Sequence, residues 1–474
     1  MPETFDRLTQ LDNSFLIYED AQPQAAMHVA TTQIHDARPL RLDDGSLDIE
    51  RIQEYVLSRL DRIPRYRQRL ARTPIEGHPV WIDDASFNIR YHVRHSRLPT
   101  PGSERQLKRM AGRIFSQRLD REKPLWELWV IEGLSGDRLA VVSKVHHCMV
   151  DGVSGSELIS ALLTSEPQEK PDPTRPWYPR EAPSAATLGM AEVTRALRAP
   201  VQAATTLTRL LRDEDGDRHE LAERMRALGR MLGDVSSAHA LPFNEPVGPH
   251  RRLDWTPIPM TEIKKVREAV GGTVNDVVLA VTAGAIRRFL IHTRGMALHD
   301  QQLRVMAPVS VRRKDERGDL GNRVSAWTLD LPINEPDPLT RLEIVCKATA
   351  DLKETKQALG AEVLTQATEW TGSGLLSLSA RLVVMGTPFN MVVTNVPGPR
   401  VPLFLMEAPL LEIHPHVPLM GNLGLGLALF SYDGTLSWGY CADWDLIPDL
   451  HELVLATEAS FAELQEAAGV TSAS

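Results

Sequence analysis

A chain of 474 residues is too long for one ordinary hydrophobic core, and 42% apolar with 24% charged residues marks it as globular. A net charge of −9 argues against a general nucleic-acid surface, which would be basic. Cys148, Cys346 and Cys441 are too few and too far apart for a disulfide framework or a zinc motif, which fits a reducing, cytoplasmic setting. The stretch Met1 to Gln10 has no apolar core and does not read as a secretory signal. Apolar runs such as Leu375–Met385 and Leu423–Phe430 are too short or interrupted to span a bilayer, so a soluble or peripheral protein is expected.

Residues 1 to about 95 read as mixed structure. Ile52, Val56, Leu60 and Ile63 share one helical face, and Pro64 stops that helix. A second helix is predicted over Glu104–Leu119, with Arg and Lys on its polar side. Trp126–Glu132 and Leu139–His147 read as a strand pair around Ser135-Gly136-Asp137, and Gly155–Leu163 returns to helical spacing. Prolines and charges from Pro167 to Pro183 mark a linker. Ala185–Ala240 is amphipathic and helical: a connector packed on the domains, or a surface facing membrane or lipid droplet.

A second α/β pattern begins near Arg251. It contains helices at Thr261–Val270, Thr273–Leu290 and Pro338–Leu359, and strands at Leu303–Val309, Val324–Leu331 and Met391–Asn395. The last strand is closed by Pro397-Gly398-Pro399. A hairpin over Gly424–Ser431 and Thr435–Ala442 turns at Asp433-Gly434, and a last helix over Pro448–Ala467 precedes a polar tail. No repeat appears at solenoid periods. The division is 1–166, an N-terminal domain; 167–245, linker and helical connector; and 246–474, a C-terminal domain.

The stretch His146-His147-Cys148-Met149-Val150-Asp151-Gly152 concentrates chemistry. In a regular strand, successive side chains face opposite sides, so the two histidines do not share a face. His147 falls with Leu139, Val141 and Val145 on the more apolar side and is placed inward as a candidate base. A histidine titrates near neutrality and takes a proton from an attacking hydroxyl, amine or thiol, which contributes about 10²–10⁴ in rate. Asp151 would brace the histidine or pair with a distant arginine, and Gly152 permits the bend. A structural histidine at a strand end is the plainer alternative. No second ligand cluster supports a metal site; His414-Pro415-His416, the other dense histidine pair, reads equally well as a surface turn. Gly152-Val153-Ser154-Gly155-Ser156 lacks the last glycine of a hydrolase elbow, and Gly424-Leu425-Gly426 continues into Leu427-Ala428, not a dinucleotide fingerprint.

His146-His147 followed by Asp151-Gly152 matches the HHxxxDG signature of coenzyme-A-dependent acyltransferases. The chain more closely resembles the bacterial bifunctional wax ester synthase/acyl-CoA:diacylglycerol acyltransferase family. That narrower resemblance rests on Leu11–Leu16 with Met27-His28-Val29, Pro124-Leu125-Trp126-Glu127, Asn275–Ala280 and Thr394–Pro399, in the family's order. It implies an α/β fold of two chloramphenicol-acetyltransferase-like domains, each a mixed sheet with helices, with an active-site tunnel at their interface. It also implies transfer of a long acyl chain from acyl-CoA to a fatty alcohol, giving a wax ester, or to diacylglycerol, giving triacylglycerol. His147 is then the general base, with His146 and Asp151 in support and no covalent acyl-enzyme. Asn275 is the implied oxyanion support. Thr273 and Asp276 have the spacing of a capping box, which sets Asn275 in the first turn of its helix, where backbone donors and the dipole favour negative charge.

Acyl-CoA is a co-substrate here, no cofactor is expected to stay bound, and metal and nucleic acid are not expected partners. Coenzyme A is anionic, so Arg312, Arg313 and Lys314 are a candidate rim, or simply a solvated charge run. Gly321-Asn322-Arg323 also resembles the family without an assignable role. Pro124-Leu125-Trp126 is expected to shape the tunnel or pack beneath the histidine strand, and Asn395–Pro399 to end a strand as a rigid turn. The competing readings are an acyltransferase for a different alcohol acceptor and a non-catalytic lipid-binding relative. Peripheral contact with the inner membrane face or lipid droplets is an expectation resting on residues 185–240.

Overall fold

A computed structural model describes residues 5–149, 157–172, 176–197, 238–310, 324–354 and 389–470. Asp151, Gly152, Arg312–Lys314, Gly321–Arg323 and residues 198–237 lie outside the described residues. Strands β1 (Asp6–Arg7), β3 (Gln68–Arg72) and β4 (Pro79–Asp83) make a small sheet in the order β1-β4-β3. A six-stranded sheet combines β2 (His28–Asp36), β5 (Val93–Arg97), β6 (Trp126–Leu134), β7 (Arg138–His146), β12 (Phe404–Leu405) and β13 (Ala408–His416). Its order is β12-β13-β2-β7-β6-β5. A second six-stranded sheet combines β8 (Arg251–Pro259), β9 (Leu303–Ser310), β10 (Val324–Leu331), β11 (Met391–Pro397), β14 (Leu425–Tyr432) and β15 (Thr435–Asp443). There the order is β10-β9-β11-β14-β15-β8, and β11 runs parallel to both its neighbours.

The helices form where local signals place them. Helix α1 (Gln10–Ala21) is capped by Thr9, and α2 (Ile49–Arg59) by Asp48. A single turn, α3 (Ile89–His92), precedes α4 (Glu104–Ser116), which opens on a capping box between Ser103 and Gln106. Helix α5 is Glu157–Leu162, and α6 covers residues 185–197, the described part of the amphipathic stretch. Helix α7 is Met260–Val270. The strongly apolar α8 (Val274–Arg288) is buried from Asp276 to Ile286 and forms the centre of the C-terminal core. Helix α9 (Pro338–Glu354) and α10 (Leu450–Ala467) complete the set. Asp433 and Gly434 both take positive φ, 40° and 81°, which suits the two-residue turn joining β14 to β15.

Three expectations change. The histidine strand ends one residue early: β7 stops at His146, and His147 begins a 3-10 turn over His147–Met149. Alternation along the strand therefore does not set the direction of His147. Both faces of β7 are also buried, with Leu139 and Val141 in one core and Ala140 and Val142 in another, so apolar content does not mark an inward side. His414-Pro415-His416 is no surface turn. It closes β13, with His414 and His416 only 1% and 2% exposed. Lastly, the sheets do not divide at the linker. Strands β12 and β13 come from the C-terminal half of the sequence, yet β13 pairs antiparallel with β2 through His414↔Thr32 and His416↔Ala30.

The two halves meet along this seam. The Trp255 indole of β8 stacks on His414 at 4.5 Å, and Lys108 of α4 reaches Asp254 at 2.5 Å. Gly112 of α4 lies so close to β8 that a Cβ there would stand 2.9 Å from the Arg251 carbonyl oxygen. At Gly439 of β15 the approach is closer still, with the Pro415 carbonyl oxygen 1.9 Å from where a Cβ would sit. One apolar core accordingly joins Leu107, Ile114 and Val142 to Leu253, Trp255 and Cys441.

Candidate active site

The site is built on the end of β7. His28 and His146 form the last register pair between β2 and β7. The next residue, His147, donates its main-chain N–H to the Met27 carbonyl at 2.8 Å, and the chain then turns away from the sheet. Helix α1 packs against that turn and contacts both histidines one helical turn apart. Phe15 stacks on the His147 ring, with centroids 4.0 Å apart and planes at 28°. Glu19, four residues later and on the same helix face, accepts a hydrogen bond from His146 Nε2 at 3.1 Å.

The two histidines have different environments. His146 is buried and its ring is fully engaged: Nδ1 accepts from the Cys148 main-chain N–H at 3.1 Å. A backbone donor on Nδ1 leaves the ring proton on Nε2, so His146 is the tautomer that donates to Glu19. Glu19 is 2% exposed and also accepts from Arg121 at 2.6 Å and Arg118 at 3.2 Å. Although burial opposes its charge, His146, the Arg121 guanidinium and His28 hold the carboxyl well below the usual carboxylate range. His28 lies edge-on to His146 at 5.7 Å and accepts from the Leu119 N–H.

His147 is half-buried. Burial pushes its pKa down from 6.5 to about 4, against the pull of its own main-chain carbonyl. Its Nδ1 is buried, and among the described residues no side chain hydrogen-bonds the ring. The result is a neutral imidazole at neutral pH, able to accept a proton on its remaining nitrogen.

Lys144, two register positions before His146, is fully buried and donates to the carbonyls of Ile114 and Gln117 at 3.0 and 2.9 Å. It ties the C-terminal end of α4 to β7, next to the Arg118–Glu19 pair. Trp126 is core: it lies on β6, beside β7 and opposite Val145, its Nε1 donates to the Tyr66 carbonyl at 2.8 Å, and its ring stacks on His92.

Asn275 occupies the first turn of α8 and is half-buried. Thr273 and Asp276 form the expected capping box, and Asp276 also accepts from Thr349 Oγ1 at 2.7 Å, so Asp276 is committed to the cap. Among the described residues no hydrogen bond or ring contact joins Asn275 to either histidine. A cavity of about 480 Å³ between the end of β8 and α10 is lined by Pro257, Ile258, Glu262, Glu458 and Phe461. It shares no lining residue with His147 or Asn275 and is not the expected tunnel. The sequence reading missed Phe15 and Glu19 as site residues. Their shared face on α1, at spacing i to i+4, was the available signal.

Among the described residues no single helix is long and apolar enough to cross a membrane. Helix α7 followed by Val274–Thr293 would qualify only as a pair bent by 98°, and α8 is core.

The family model described as the wax ester synthase/diacylglycerol acyltransferase catalytic domain matches residues 8–278, and that of the WS/DGAT C-terminal domain matches residues 320–465. A Mycobacterium tuberculosis protein provisionally named a diacylglycerol O-acyltransferase is 33% identical over 459 residues, covering 94% of this chain and 87% of its own. Another from that organism, named a probable diacylglycerol O-acyltransferase, is 30% identical and covers 97% of this chain and 96% of its own. The solved wax ester synthase/diacylglycerol acyltransferase from Marinobacter aquaeolei VT8 is 26% identical, with a TM-score of 0.68, covering 98% of this chain and 100% of its own. The first condensation domain of the CDA synthetase shares the fold, with a TM-score of 0.58 at 16% identity. The architecture is thus the two-domain, chloramphenicol-acetyltransferase-like α/β fold. With both family models matched along most of its length, this chain belongs to the wax ester synthase/diacylglycerol acyltransferase family and is an acyltransferase.

Proposed function

We propose that the chain transfers a long acyl group from acyl-CoA to the hydroxyl of a fatty alcohol or of diacylglycerol, with His147 as general base. The observation that carries this reading is the contrast between the paired histidines: His146 is locked by Glu19 and Cys148, whereas His147 is neutral, half-open and free of hydrogen-bonded side chains among the described residues. In the proposed step the acceptor oxygen attacks the thioester carbonyl while its proton passes to His147. Collapse of the tetrahedral intermediate breaks the C–S bond, and the proton leaves with the coenzyme A sulfur. No acyl-enzyme forms and no bound cofactor is required. Asn275 supplies an oxyanion donor from the first turn of α8, Asp151 orients the histidine turn, and Gly152 allows its bend. Removing one oxyanion donor costs about 2.7–4 kcal/mol, a loss that falls on kcat.

The test is release of free coenzyme A from palmitoyl-CoA, with hexadecanol and diacylglycerol offered together. His147→Ala should abolish acceptor-dependent release in a folded protein, and Asn275→Ala should lower kcat with KM little changed. Near-wild-type turnover by His147→Ala would refute the mechanism. Ester formation from neither acceptor would point to a different alcohol.

Peripheral lipid contact belongs to the same reading. Helix α6 docks on the small sheet through Leu188 and the buried Glu192, which accepts from the Ile75 and Glu76 main-chain N–H groups at 3.0 and 2.9 Å. Its opposite face exposes Met190, Val193 and Leu197, by 72%, 49% and 73%. An apolar stripe of this kind suits the boundary between headgroups and acyl chains. Replacing all three by serine should reduce flotation with anionic vesicles; unchanged flotation would exclude this surface.

A further inference from the structure

Most histidine bases are aimed by a partner that hydrogen-bonds the second ring nitrogen. Here His147 Nδ1 is buried, the polar group acting on the ring is its own main-chain carbonyl, and among the described residues no side chain hydrogen-bonds it. The ring contact present is Phe15, stacked on it at 4.0 Å and 28°. Phe15 is itself held in place. Its helix is capped at Thr9, and one turn past Phe15 the buried Glu19 is tied to His146, Arg118 and Arg121. Arg121 also donates to the Leu16 carbonyl of α1. Sliding or rotating α1 to move Phe15 would therefore break the Glu19 cluster. Through one helix face, Phe15 and Glu19 give the adjacent histidines opposite treatment, an aromatic face for His147 and a carboxylate for His146.

We propose that Phe15 is a positioning residue for acyl transfer: its ring fixes the plane of the His147 imidazole and steadies the imidazolium that forms as the acceptor proton is taken. The attraction of a cation to an aromatic face grows with the charge on the imidazole, so it is stronger in the transition state than in the resting enzyme. A contact of that kind acts on kcat and leaves ground-state binding of acyl-CoA nearly unchanged. The inference rests on His147 as the base.

The experiment compares Phe15→Leu, Phe15→Tyr and His147→Ala in the full chain, with palmitoyl-CoA and hexadecanol as substrates and a thermal melt of each variant. Phe15→Leu is expected to lower kcat about 2- to 30-fold, the range of a desolvated cation–aromatic contact, with KM within about twofold of wild type. Phe15→Tyr keeps the stacking face and should restore most of kcat. If Phe15→Leu does not fold, Phe15→Met removes the ring with an unbranched side chain. An inactive His147→Ala beside a Phe15→Leu enzyme with wild-type kcat overturns the role of Phe15 alone. Loss of kcat that Tyr does not recover, or loss confined to KM, also overturns it. An active His147→Ala enzyme overturns the general-base reading with it.

Discussion

Replacing Glu19 by glutamine keeps the volume of the side chain and removes its charge from a site only 2% exposed. The carboxylate accepts from Arg121 at 2.6 Å, Arg118 at 3.2 Å and His146 at 3.1 Å. Breaking a buried ion pair by removing one partner costs about 3–5 kcal/mol. Three features reduce that figure here. Glutamine retains one acceptor oxygen, Arg121 keeps Asp20 at 2.5 Å, and the Arg118 side chain is 41% exposed, so water screens its share. The expected destabilisation is about 2–3 kcal/mol at pH 7, measured by urea unfolding.

The effect has a pH signature. The folded-state pKa of Glu19 is depressed, so its contribution is complete above the unfolded value of about 4.3 and is lost as pH falls toward the folded one. The difference between wild type and Glu19→Gln should therefore be constant from pH 8 to 6 and shrink below about pH 4.5. Taking that difference cancels groups that titrate alike in both proteins. A difference under about 0.5 kcal/mol at pH 7, or one that grows on acidification, would refute the argument.

Two further outcomes follow from the fold. His35, His92 and His416 are held neutral by burial, with pKa values lowered to about 4, about 4 and about 3. The unfolded chain protonates these groups first, so stability should fall as pH drops below about 6.5, by about 2 kcal/mol per histidine between pH 7 and 5. Urea midpoints at the two pH values check this; equal midpoints would contradict it. Gly439→Ala would press a methyl group onto the Pro415 carbonyl oxygen at the seam between the halves, 1.9 Å from the unrelaxed Cβ position. A loss of about 3 kcal/mol or more, or failure to fold, is expected, and an unchanged melting temperature would show that β13 and β15 are not packed this way.

Much of the local structure is legible because its causes are local. Thr273 and Asp276 announce the start of α8 and place Asn275 in its first turn; Asp433-Gly434 announces a hairpin; β10 begins and ends where the stretch Val324–Leu331 reads as a strand. The histidine stretch, too, stands out as sequence. What the sequence by itself left open are facts about distant partners. A strand such as β13 has the same composition whichever sheet it joins, and only its pairing with β2 buries His414 and His416 under Trp255. The direction of His147 depends on where β2 begins, at His28, because a strand ends where its antiparallel partner starts. With both faces of β7 buried, alternation carried no sign for inside and outside. Glu19 is an ordinary acid on an amphipathic helix until the fold brings His146, Arg118 and Arg121 around it from 99 to 127 residues away. Residue identity and spacing specify which groups the histidine stretch contains; tertiary packing, by pairing His146 with Glu19 and stacking His147 on Phe15, decides which of the two rings is left without a hydrogen-bonded side chain among the described residues.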